Sequence, residues 1–138
     1  MKKFIAVLMM SLIVISVAVA QRPIYDRKNN MIAMYEIGVG DGLDVDFCSV
    51  EKITGTILSV SEDYPEVITV IRTTKGNESI SVNTERMSMA DRSNFFYGLL
   101  KKGKKVHIGA YMCGSGAFYY ATSVKSLTPV GSPRGKKT

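Results

Sequence analysis

The chain has 138 residues, 18 basic against 12 acidic, a formal charge of +6 and a single histidine. That length fits one domain with a modest core, and nothing in it suggests a second. Two cysteines and one histidine do not make a zinc set, and the chain carries no P-loop, no G-x-S-x-G and no G-x-G-x-x-G opening a helix.

Residues 1–20 have the layout of a secretory signal peptide. Lys2 and Lys3 start it, Phe4 to Val17 is apolar except for Ser11 and Ser16, and Ala18-Val19-Ala20 offers small residues for cleavage. Cleavage after Ala20 is expected, leaving 118 residues. No later segment is long and apolar enough to span a bilayer, so no membrane span is expected after cleavage. The protein is therefore expected in the periplasm or outside the cell. In an oxidising compartment Cys48 and Cys113 are expected to form a disulfide. The long loop it closes implies about 4 kcal/mol of stabilisation, less any strain.

Residues 21–47 read as an N-terminal extension. Its first part, 21–30, is polar and expected to be loosely held. Residues 31–38, "MIAMYEIG", fit a short strand or a helical turn. Gly38, Gly40 and Gly42 mark a loop. Asp41, Asp44 and Asp46 within it do not have the spacing of a calcium-binding EF-hand, so they read as a solvated acidic loop.

Residues 48–127 carry a clear pattern. Ile53, Gly55 and Ile57 alternate over a first strand, 52–60, and Val60 is one residue out of step, which predicts a bulge or strong bend. Residues 61–66 form a loop, 67–74 a β-branched second strand, 75–78 a turn and 79–83 a third strand. Ser88 with Asp91 predicts a helix N-cap, and Phe95, Phe96, Leu99 and Leu100 recur as a buried helical stripe. Lys101 and Lys102 suit the carbonyl end of that helix, with Gly103 as the cap residue. Lys104 and Lys105 then begin a fourth strand in which Val106, Ile108, Ala110 and Met112 share one face. The four lysines thus read as punctuation between elements rather than as a phosphate patch. A turn at 114–116 leads to a fifth strand, 117–127, whose buried face the pattern leaves open. Residues 128–138 form a basic flexible tail with Arg134, Lys136 and Lys137 and no acid. Residues 29–127 hold ten basic and eleven acidic side chains, so the basic balance belongs to the ends.

Three strands, a helix and two strands is the order of the OB-fold, a five-stranded Greek-key barrel. The bent Ile53-x-Gly55-x-Ile57 strand and the stretch "LLKKGKKVHIGAY" also resemble that family, over about residues 50–127. The chain resembles small exported bacterial OB domains of the anticodon-binding-like type. More weakly, in layout, it resembles the B subunits of AB5 toxins, pentamers that bind cell-surface glycans. That second likeness rests on the signal segment, on one cysteine before the first strand and one after the helix, and on "ILSVSED" and "VITVIRTTKGNESISV".

The resemblance implies a ligand face on strands two and three and on the loops 61–66 and 113–117. Tyr64, Thr69, Arg72, Lys75, Ser81, Tyr111 and Phe118 are the ligand-binding candidates. No catalytic residue, metal or cofactor is expected, since His107 lies within a strand with no evident partners for catalysis. The expected role is a non-enzymatic binding module for an oligosaccharide, peptide or envelope protein. Single-stranded nucleic acid is the alternative, because OB domains bind it by joining a positive groove to stacked aromatics.

Overall fold

The computed structural model describes residues 21–40, 44–114 and 118–127. The expected signal peptide and basic tail lie outside the described residues. Among the described residues there are seven strands: β1 (Arg22–Tyr25), β2 (Met31–Tyr35), β3 (Cys48–Asp63), β4 (Glu66–Thr73), β5 (Gly76–Asn83), β6 (Lys105–Cys113) and β7 (Phe118–Ser126). One short helix, α1 (Met89–Asn94), runs into a π-helical turn at Phe95–Leu99. The sheet is mostly antiparallel, and β5–β7 is its parallel pair. β3 pairs with β4, β4 with β5, β5 with β7, β7 with β6, and β6 with β3 again, so the pairings return to the strand where they began.

The sixteen residues of β3 serve two neighbours in turn. Its first half pairs with β6 as far as Thr56 opposite Lys105, and its second half pairs with β4 from Thr56 opposite Arg72 onward. The expected bulge is present as a register shift between Ile57 and Ser59. Gly55 lets the strand turn there, since a Cβ on it would lie 2.3 Å from the Arg72 carbonyl oxygen. Thr69, on β4, supports the bulge by donating its hydroxyl to the Ser59 carbonyl at 3.1 Å.

Ile53, Ile57, Val67, Ile71, Ile80, Val82, Val106, Ile108 and Val124 alternate into the core. Phe95, Leu99 and Leu100 from the helical segment are also buried there. Ser88 caps α1 by accepting the Asp91 N–H at 3.0 Å. Gly103 has φ +90° and donates its N–H to the Ile57 carbonyl, which ties the exit of the helical turn to β3.

Several expectations change, and one open question is settled. Residues 21–30 are not loosely held. β1 and β2 form a hairpin whose turn is closed by Asp26, which accepts the N–H groups of Lys28 and Asn30 at 2.8 and 2.9 Å. Those donors, Asn30 first, hold its carboxyl below the ordinary value. β2 continues onto β7, and Met31, Met34 and Ile37 are buried, so the extension supplies part of the core. The expected loop 61–66 is a two-residue turn, Tyr64-Pro65 with a cis bond, because Asp63 and Glu66 still pair. The turn expected at 75–78 is shorter, since β5 begins at Gly76. The open face of the fifth strand resolves into Ala121 and Val124, which lie inward on either side of a register shift. Cys48 and Cys113 face each other across β3 and β6 with Cα atoms 4.3 Å apart, joined by the disulfide. Among the described residues no helix is long and apolar enough to cross a membrane.

Candidate functional site

Alternation on β3, β6 and β7 sends their branched residues inward and leaves a second set on the outer face. Along it, Cys48 lies opposite Cys113 and Phe118; Val50 opposite Tyr111, and Tyr111 opposite Tyr120. Next come Lys52 opposite Gly109 and Ser123, and Thr54 opposite His107 and Lys125. Thr56 ends the face between Lys105 and Arg72.

One end of this face is apolar and aromatic. Phe47 is 83 % exposed, Val50 73 % and Phe118 61 %, large apolar groups held in water around the disulfide. Tyr111 and Tyr120 lie half-buried beside them. The other end is basic. Lys52, Arg72, Lys105 and Lys125 are exposed, and strand spacing puts them within roughly 15 Å of one another. No carboxylate occupies an outer position in these rows. The His107 ring nitrogen Nδ1 lies 2.7 Å from the Thr54 hydroxyl.

Two acids lie at the margin of this face, where Lys52 and Thr54 border a cleft. Glu51 and Glu78 line this cleft of about 330 Å³ with Tyr119, and Lys52 and Lys75 also line it. Burial first, then the charges of Glu78 and Glu51, push the Tyr119 hydroxyl above its ordinary value. A chain whose central part is nearly neutral thus brings four exposed cations from four strands onto one surface.

The expected site residues do not converge on one face. Arg72, Tyr111 and Phe118 share the outer face just described. Ser81 adjoins it through its pairing with Tyr120, but its hydroxyl donates to Glu66 at 2.9 Å. Lys75 belongs to the Glu51–Glu78 cleft. Tyr64 stands in the β3–β4 turn under the Arg92 guanidinium, 4.8 Å from its ring centroid. Thr69 is wholly buried and hydrogen-bonded to the β3 bulge, so it presents nothing to a ligand.

Phe47, Val50, Tyr120, Lys52 and Lys125 were not among the expected residues. Their signal was alternation with buried neighbours, as Lys105 and His107 alternate with Val106 and Ile108. Lys101 and Lys102 do not lie in the last helical turn as expected: the helical segment ends at Leu99 with Leu100 as its cap, and the two lysines follow it. Lys105 opens β6 and also joins the basic face. Comparison with protein-family models and with curated proteins finds no match for this chain.

Proposed function

We propose that this chain is an exported, non-enzymatic OB-fold binding module whose outer β3–β6–β7 face holds an anionic oligosaccharide. The observation that carries the reading is that Lys52, Arg72, Lys105 and Lys125, from four strands, are exposed on one face beside Tyr111, Tyr120 and Phe118. The strand order supports the barrel: three strands, a helix and two strands, with pairings that return to β3 and a parallel contact between the third and fifth of them. The signal-like N-terminus and the Cys48–Cys113 bond support export.

On this reading the lysines and Arg72 draw in carboxylate or sulfate groups over several ångströms and then pair with them. The tyrosine rings offer flat apolar surfaces with a hydroxyl at the rim, suited to a sugar's mixed face. The hydroxyls of Thr54 and Ser123, which share rows with the lysines, supply short-range hydrogen bonds.

Single-stranded nucleic acid is the second reading, favoured by the same joining of cations to aromatic platforms. Titration of residues 21–138 with a sulfated hexasaccharide, its desulfated form and an oligothymidylate, across a salt series, separates them. Preference for the sulfated sugar supports the proposal. Preference for the oligonucleotide transfers the face to the second reading, and no binding to any of the three removes both. Solution mass decides the toxin-type alternative: a pentamer supports it and a monomer removes it.

A further inference from the structure

The second half of β3 has a bare edge. β6 accompanies β3 only to Thr56, and the last backbone bonds on that side are Ile57 N–H to the Lys104 carbonyl and Gly103 N–H to the Ile57 carbonyl. From residue 58 to 63, β3 pairs with β4 on one side and with no strand on the other among the described residues. Six residues of edge span about 20 Å. Unpaired backbone donors and acceptors in such a row are a template for another strand.

A groove runs along this edge, with β3 as one wall and the helical segment as the other. One part, about 420 Å³, is lined by Leu58, Val60, Phe96 and Leu100, with Lys101 and Lys102. The other, about 390 Å³, has Tyr64, Met87 and Met89 in its wall. Phe96 and Tyr97 line both, so the two adjoin. Met89 is 90 % exposed and Tyr97 68 %, apolar surface of the kind that marks an interaction site. The charge is uneven along it. At the Tyr64 end Arg92 pairs with Glu62, which neutralises both. At the Leu58 end two exposed lysines have no carboxylate in the cavity wall.

We propose that this groove takes an extended peptide that adds as a strand to the edge of β3 at residues 58–63. Its alternate apolar side chains enter the two cavities, and an acidic residue meets Lys101 and Lys102. Strand addition of this kind draws affinity from backbone bonds and specificity from pockets for every second side chain. The groove is separate from the outer face, so the proposal stands apart from the oligosaccharide reading.

The test is selection of phage-displayed random dodecapeptides on residues 21–138, then anisotropy titration of the enriched peptides. Alternating apolar residues flanked by an acid are expected. Tyr97→Ala should weaken binding by about thirtyfold, as for an aromatic hot spot, and Lys101→Glu with Lys102→Glu by about tenfold. All three side chains are exposed, so the variants keep the fold, and circular dichroism checks it. N-methylation of alternate peptide nitrogens should abolish binding in one register and spare it in the other. Failure to enrich any peptide overturns the proposal, as does binding indifferent to these substitutions or to N-methylation. A wild-type dimer dissociated by the same substitutions also overturns it, assigning the edge to a second copy of the chain.

Discussion

Gly55→Ala tests whether the bend of β3 depends on close backbone approach. Gly55 is buried opposite Val106, and a Cβ there would lie 2.3 Å from the Arg72 oxygen, 3.0 Å from its carbonyl carbon and 3.3 Å from Thr73 Cγ2. Ordinary contact begins near 3.4 Å, so β4 must retreat by about 1 Å, and the obstructing atoms are backbone that cannot rotate away. Overpacking of this kind costs about 1–3 kcal/mol, and weakening the Thr56–Arg72 pairing adds about 1 kcal/mol. Replacing a strand glycine returns about 0.5–1 kcal/mol. The expected net loss is about 1–3.5 kcal/mol, a fall of roughly 0.5–2 M in the urea midpoint of residues 21–138. Gly98→Ala is the control: beyond its chain neighbours and its own helical backbone nothing lies within 4 Å of its Cβ position, and in a helical segment it should be neutral or stabilise by up to about 1 kcal/mol. If Gly55→Ala unfolds within about 0.5 kcal/mol of wild type, the close-approach argument fails.

Replacing Cys48 and Cys113 by alanine opens a loop with a sequence separation of 65, and the urea midpoint should record a loss of up to about 4 kcal/mol. Thr69→Val strands the Ser59 carbonyl and should cost about 1 kcal/mol without changing affinity for the sulfated hexasaccharide; a clear loss of affinity would return Thr69 to the ligand site. Lys52→Glu with Lys125→Glu should flatten the salt dependence of that binding and weaken it at least about tenfold at low salt, while the melting temperature stays within a few degrees.

Tyr25 donates its hydroxyl to Asp91 at 2.7 Å, and burial first, then that bond, raises its ionisation above 10.0. The unfolded chain therefore loses this proton before the folded one does. The contribution is complete below pH 10 and lost as pH rises through the folded value. Tyr25→Phe should lower stability by about 1 kcal/mol at neutral pH and shallow the decline above pH 10, read from urea midpoints at pH 7 to 11.

What was legible in the chain was what neighbours in sequence decide. The Ser88 cap, the burial of Phe95, Leu99 and Leu100 and the alternation of β6 follow from local hydrogen bonding and period. The expected glycine cap does not form: Leu100 caps the helical segment, and Gly103 at φ +90° donates its N–H to Ile57 on the distant β3. The bulge was visible as a broken alternation at Val60. The disulfide partners were readable because only two cysteines exist. Three features depended on which strands meet. Residues 21–30 lack a hydrophobic pattern of their own, and they are held because Met31, Ala33 and Met34 bring β2 onto β7 and into the core. Thr69 stands at a position whose polarity suggested solvent, yet its hydroxyl satisfies a carbonyl exposed by a bulge ten residues earlier. Lys52, Arg72, Lys105 and Lys125 come from four strands, and no stretch of sequence shows them as one patch. Local propensities determine the elements one by one, but the candidate surface is a product of register, and register is settled only when every strand has buried its apolar side at once.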